Sequence, residues 1–209
     1  MNDRPILHEY AASGNCYKIR PAAALLDRPI ERREYDIMRG ETRTAAFLAE
    51  VNANGRIPVL QIGDRFLPES NAACFWLADG THLIPHDRFE RADMLGWMFF
   101  EQYNHEPNVA TLRFWMKWVG EENLGEAQRV QIPLKQAAGA AALTLMDDHL
   151  AAHDWLAGQS LSLADIALYA YTHVAEDSGL FALADYPAVQ RWLARVEAAP
   201  GFMAMAMAA

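Results

Sequence analysis

Ser13-Gly14-Asn15-Cys16 sets a hydroxyl, a carboxamide and a thiol side by side, just ahead of a helical stretch. A thiol near a helix start can be acidified by the unpaired amides there and form mixed disulfides. Ser-Gly-Asn is also a common turn-and-cap sequence, so the cluster reads equally as a plain helix start. Cys16 and Cys74 are the chain's 2 cysteines, too few for a disulfide framework or a cysteine-rich zinc site. His82 with His86 and His149 with His153 have a metal-compatible i,i+4 spacing. Neither pair carries the glutamate of an H-E-x-x-H run, and no metal is expected. With 18 Lys+Arg against 27 Asp+Glu, the net charge of −9 argues against a nucleic-acid partner, which would need basic patches to neutralise phosphates.

The elements that must position these groups are legible in outline. The 209 residues are 52% hydrophobic, enough for one large or two small packed domains. No apolar run approaches the roughly 18 residues that span a bilayer, and Met1-Asn2-Asp3-Arg4 opens without a signal-peptide core. The expectation is a cytoplasmic protein with reduced thiols and no membrane partner. A strand over Pro5–Tyr10, a helix from Cys16 to Leu26 closed by Asp27-Arg28-Pro29, a strand over Glu31–Ile37 and a short helix from Thr42 to Val51 make a βαβα unit. Two strands turning at Gly63-Asp64 follow, with Pro58 at the start of the first. Ser70 then reads as the N-cap of a helix through Ala78, stopped by Asp79-Gly80. After a linker at 81–87 the strand signals vanish. Helices are predicted over Phe89–Tyr103, Val109–Val119 and Ala127–His153, then from the capping-box sequence Ser162-Leu163-Ala164-Asp165, then from Tyr186-Pro187 to Val196. The Met-Ala tail reads as loosely held. The expected domains are therefore 1–80 and 88–209.

Ser13-Gly14-Asn15-Cys16-Tyr17-Lys18-Ile19-Arg20, Gly55-Arg56-Ile57-Pro58-Val59-Leu60, Pro68-Glu69-Ser70-Asn71-Ala72, the stretch Phe100 to Pro107 and Ser162-Leu163-Ala164-Asp165 occur in one chain and in this order. In motif and element order the chain resembles the cytosolic glutathione transferases, bacterial members of the serine or asparagine type, over nearly its whole length. The resemblance implies an α/β thioredoxin-like N-terminal domain that binds glutathione as co-substrate, an all-helical C-terminal domain that helps form an electrophile pocket, and a homodimer.

Glutathione carries an ammonium, two carboxylates and a thiol, so its site must answer both charge signs and leave sulfur at a helix start. By resemblance, Glu69 meets the γ-glutamyl ammonium, and Ser70 offers its hydroxyl and amide to the neighbouring carboxylate. Ile57, before a cis Pro58, would pair its backbone with the cysteinyl part as an added strand does. Thr42 and Arg56 fall where the glycyl carboxylate is met. Ser13 matches the hydroxyl that donates to the sulfur, Asn15 matches an asparagine used similarly, and Cys16 is the cysteine-type alternative, ranked below both. In the second domain Tyr103 and Trp115 would wall an apolar pocket, and His105 or Arg113 would polarise a leaving group. The implied activity is glutathione transfer to a hydrophobic electrophile, with a role such as detoxification. The alternatives are glutathione-dependent reduction of disulfides or organic peroxides, and a non-catalytic binding module of the same fold.

Overall fold

A computed structural model describes residues 4–205. The chain forms two compact units, one running to Ile84 and including the segment from Ala199, the other spanning Pro85–Ala198. In the first unit β1 (Ile6–Glu9), α1 (Gly14–Leu25), β2 (Glu31–Glu34), α2 (Ala45–Glu50), β3 (Val59–Ile62), β4 (Arg65–Pro68) and α3 (Ser70–Ala78) follow in order. The strands lie in the order β2-β1-β3-β4, with β1 and β2 parallel and the other neighbours antiparallel. Leu7, Tyr17, Ile19, Leu60 and Leu77 are buried between the sheet and the helices. β2 reads Glu-Arg-Arg-Glu and is exposed throughout, as suits an edge strand kept from pairing by charge.

The register brings three loops to one edge of the sheet. His8 pairs with Val59 and Val59 with Pro68, so the end of β1, the start of β3 and the end of β4 lie side by side. The residues that follow β1, precede β3 and follow β4 are Ser13, Ile57-Pro58 and Glu69-Ser70. That convergence is a consequence of antiparallel pairing across β1, β3 and β4.

Several sequence expectations are corrected. β2 stops at Glu34 because Asp36 turns the chain, its carboxylate accepting from the Met38 amide at 2.9 Å and the Arg39 amide at 3.2 Å. The first unit extends to Ile84, and the segment from Ala199 belongs with it rather than with the helical unit. The tail segment is held through Met203, whose carbonyl accepts from the Tyr17 hydroxyl at 2.6 Å; Gly201 turns the chain at positive φ beside the backbone of Ala24 and Leu25. Residues 206–209 of the Met-Ala tail lie outside the described residues.

The second unit is helical: α4 (Arg88–Phe100), α5 (Glu106–Phe114), α6 (Glu126–Arg129), α7 (Ile132–Ala152), α8 (Leu163–Thr172) and α9 (Pro187–Glu197). π-helical turns at Glu101–His105 and Trp115–Val119 prolong α4 and α5. The single helix predicted over 127–153 is divided, because Pro133 lacks an amide donor and sits in the first turn of α7. Every residue of α8 is buried. Asp165 on that helix accepts from the Ser162 amide at 2.8 Å, the Ser162 hydroxyl at 2.9 Å, the Leu156 amide at 3.0 Å and the Trp192 indole at 2.9 Å. The capping box thus also ties the 156–162 loop and α9 to α8.

Candidate active site

Ser13 is the N-cap of α1, in extended backbone conformation, and its Oγ accepts from the Cys16 amide at 3.4 Å. A serine that caps through its oxygen keeps its proton for another acceptor. Its own amide donates to the Tyr10 carbonyl at 2.9 Å, which closes the turn from β1. Asn15 is half-buried, and its Oδ1 lies 3.5 Å from Ser70 Oγ, linking the starts of α1 and α3. Lys18, fully buried, points its Nζ at the same Ser70 Oγ from 3.4 Å. No sequence motif assigns Lys18 a role; its full burial, unusual for a lysine, appears only in the tertiary structure.

At the neighbouring loop the Ile57-Pro58 peptide is cis, as the family pattern expects. Arg56 beside it is exposed, and its carbonyl accepts from the Asn52 carboxamide at 2.9 Å. Thr42 is buried within the 3₁₀ turn Glu41–Arg43. Arg43 rather than Thr42 reaches toward this loop, donating to the Asn54 carbonyl at 3.1 Å and crowding the place a Gly55 side chain would take.

Ser70 is corrected from N-cap to first residue of α3. The cap position belongs to Glu69, which is exposed and holds φ at 73° and ψ at 116°, a conformation rare outside glycine. Strain of this kind persists where the surroundings over-determine it, commonly at ligand sites. It turns the Glu69 carboxylate outward while leaving Ser70 and its amide at the head of the helix.

Cys16 is corrected as well. Its side chain is fully buried, its Sγ accepts from the Tyr10 amide at 3.4 Å, and burial pushes the thiol up to about 12. It packs beneath the loop as a small apolar group instead of serving as a nucleophile. Native protein at pH 8 should leave Cys16 unmodified by a maleimide over hours, and denaturation should release it; rapid native labelling would contradict its burial. A thiol raised in the folded state also has a sign for stability. The unfolded chain ionises first, so stability is whole below the ordinary thiol pKa and is lost as pH climbs from about 8.5 toward 12.

Three of the four residues assigned to the electrophile pocket have other partners inside the helical unit. His105 is fully buried, with Nε2 3.0 Å from Thr172 Oγ1 on α8. Arg113 is buried, donates to Asp177 at 2.8 Å and lies over the Trp118 ring at 4.4 Å. Both are therefore structural, and neither is free to polarise a leaving group. Trp115 is half-buried, with the Lys135 ammonium 5.8 Å from its ring centre. Tyr103 is 79% exposed and remains available to a ligand. His149 and His153 stack at 4.2 Å, and each has a ring nitrogen on a backbone carbonyl, Trp155 and His149 respectively.

A mixed four-stranded sheet packed with helices, followed by an all-helical unit, places the chain in the class of thioredoxin-like domains joined to a helical domain. Comparison with known proteins narrows this. Residues 7–80 match the family description "Glutathione S-transferase, N-terminal domain" and residues 126–200 match "Glutathione S-transferase, C-terminal domain". A solved structure from Rhodopseudomonas palustris, described as a possible glutathione S-transferase, is 44% identical with TM-score 0.91, covering 99% of this chain and 92% of that one. A glutathione S-transferase structure from Pseudomonas fluorescens is 42% identical with TM-score 0.89, covering 97% and 99%. A glutathione S-transferase of Arabidopsis thaliana is 32% identical over 63% of this chain, which spans about half of that relative (53%). The chain belongs to the glutathione S-transferase family, and it is an enzyme of the glutathione transferase class.

Proposed function

We propose that the edge formed by Ser13, Asn15, Ile57-Pro58 and Glu69-Ser70 binds glutathione, and that Ser13 holds its sulfur as the thiolate for attack on a hydrophobic electrophile. The observation that carries this reading is the Ser13 hydroxyl, which caps α1 through its oxygen and so retains a proton to donate. A sulfur placed there would also meet the positive end of α1. Glu69 takes the γ-glutamyl ammonium, and Ser70, its hydroxyl neighboured by Lys18 and Asn15, takes the adjacent carboxylate. Ile57 offers backbone groups to the cysteinyl part, while Thr42 and Arg56 remain the assignment for the glycyl end.

The enzyme's contribution in this scheme is thiol ionisation and proximity: the S–C bond forms as the leaving group departs with its electron pair, and the thiol proton has already gone to solvent. Conjugation is favoured over disulfide exchange because Cys16 is buried and Asn15 and Ser13 offer hydrogen bonds but no exchangeable sulfur. The family's homodimer, cytoplasmic location and detoxifying role belong to the same reading. Its test is the ultraviolet absorbance of bound glutathione thiolate against pH, in the native enzyme and in Ser13→Ala, Asn15→Ala and Cys16→Ala. A lowered thiol pKa that rises in the first two variants and stays put in the third is expected; no depression in the native enzyme would sink the reading.

Glu69→Gln supplies an independent check. Removing the charge partner of an ammonium should raise KM for glutathione by about tenfold or more, since hydrogen bonds to charged groups are worth roughly 1.5–3 kcal/mol. Because Glu69 is exposed, melting should move little. An unchanged KM would remove Glu69 from the site.

A further inference from the structure

The backbone of Ala11, between β1 and the Ser13 turn, is held at both its N–H and its carbonyl, in two consecutive peptide groups, by side chains outside the proposed glutathione contacts. Its amide donates to Glu34 Oε1 at 2.6 Å, and its carbonyl accepts from Arg20 Nη2 at 2.7 Å. We propose that Glu34 and Arg20 are positioning residues for the reaction: by holding the two consecutive peptide groups on either side of the Ala11 Cα, they set the Tyr10–Ser13 turn so that the Ser13 hydroxyl aims at the sulfur.

The placement of both groups follows from the fold. Glu9 and Glu34 are paired in the parallel register of β1 and β2, so Glu34 stands where the chain leaves β1. Arg20 projects from α1, is 4% exposed, and has its Nε 3.5 Å from Glu9 Oε2. Glu9 is fully buried and also pairs with Arg32 on β2. A buried guanidinium or carboxylate is tolerable only when paired. Arg20 and Glu9 pair by charge, with no hydrogen bond at Arg20 Nε or Glu9 Oε2 among the described residues, and the hydrogen bond from Arg20 Nη2 goes to the Ala11 carbonyl. Burial pushes the Glu9 carboxyl up, while the Arg32 and Arg20 guanidiniums pull it back. Two residues beyond Ala11 the chain must enter the N-cap geometry of Ser13, and the Ser13 amide bond to the Tyr10 carbonyl transmits the setting of that peptide. Displacements well under 1 Å matter at this distance, because hydrogen-bond strength to a thiolate depends steeply on length and angle.

The proposal rests on Ser13 as the activating group, and the sign of the Glu34 effect separates positioning from plain electrostatics. Deleting a nearby anion should, by charge alone, favour the thiolate and lower its pKa. Deleting the clamp should loosen Ser13 and raise it. In Glu34→Ala we expect the bound thiol to move up by about half to one unit, which lowers the ionised fraction at pH 6.5 about two- to fivefold. We expect kcat/KM with chlorodinitrobenzene to fall by less, about one- to twofold, because the more basic thiolate is more nucleophilic; the thiol pKa is the deciding readout. Glu34→Gln keeps an acceptor oxygen for the Ala11 amide and should hold the thiol pKa near native, since the bond rather than the charge is used. Ser13→Ala and the Ser13→Ala/Glu34→Ala double variant complete the set. The double variant should show no further rise over Ser13→Ala, as two changes acting through one group are not additive. Glu34 is exposed on an edge strand, so these variants should fold; Arg20→Lys, which keeps the charge but cannot reach both Glu9 and Ala11, should shift the thiol in the same direction. A lowered or unchanged thiol pKa in Glu34→Ala, with a normal rise in Ser13→Ala, overturns the clamp alone. A flat response in Ser13→Ala overturns both the clamp and the activation it serves.

Discussion

Replacing Ser13 with alanine is expected to cut kcat/KM at pH 6.5 by about one order of magnitude or more, with most of the loss recovered above pH 9. If Ser13 and the α1 start lower the thiol by about two units, the native enzyme gains roughly 2.7 kcal/mol of preference for the thiolate. Without the hydroxyl, a thiol drifting back toward about 8.5 would be roughly fiftyfold less ionised at pH 6.5. The more basic thiolate that remains is intrinsically more nucleophilic, and a Brønsted slope of about 0.4–0.5 returns roughly a factor of ten. The net expectation is therefore roughly five- to eightfold from ionisation. Any hydrogen bond that also steadies the sulfur in the transition state deepens the loss. Asn15→Ala should act in the same direction by less, because its Oδ1 faces Ser70 and not the N-cap. A pH–rate profile of kcat/KM checks both: parallel profiles for native and Ser13→Ala, differing only in height, would mean that Ser13 does not set the ionisation.

Replacing Asp165 with alanine should cost about 4 kcal/mol or more, since each buried donor left unpaired costs roughly 1–3 kcal/mol. Both carboxylate oxygens are used twice, Oδ1 by the Leu156 amide and the Trp192 indole, Oδ2 by the Ser162 amide and hydroxyl. Asp165 and Trp192 are fully buried, so water cannot take over these donors. For a chain of this size the loss should lower the melting temperature by roughly 10 °C or more, at about 2–4 °C per kcal/mol. Asp165→Asn should be milder. One amide oxygen can still serve Leu156 and Trp192, but its NH₂ then faces the Ser162 amide, two donors meeting head on. Melting of Asp165→Ala within 2–3 °C of native would show that these bonds contribute little, a range that corresponds to about 1 kcal/mol. The turnover of the folded fraction should be unaffected, which separates this variant from Ser13→Ala.

Element order, the hairpin at Gly63-Asp64, the cap at Ser13 and the capping box at Ser162 were all legible in the sequence, because each rests on local chemistry: apolar periodicity, a turn pair, a side chain reaching its own backbone a few residues on. The motifs around Ile57-Pro58 and Glu69-Ser70 likewise mark the edge proposed as the glutathione site. What the amino-acid string could not express was which side chains already have partners. His105 and Arg113 stand on the stretch where the family meets its electrophile, yet Thr172 and Asp177, 67 and 64 residues away, claim them. Cys16 is set apart from a reactive thiol by its burial, and Glu69, with φ at 73°, takes the cap position from Ser70. The clamp on Ala11 joins residues from β2 and α1 that share no motif, brought together by the parallel register of β1 and β2 and the packing of α1 on the sheet. Local sequence determined where the helices and strands begin and what chemistry the site edge can carry. Burial and long-range pairing, which depend on neighbours distant in the chain, decided which groups are free to perform it.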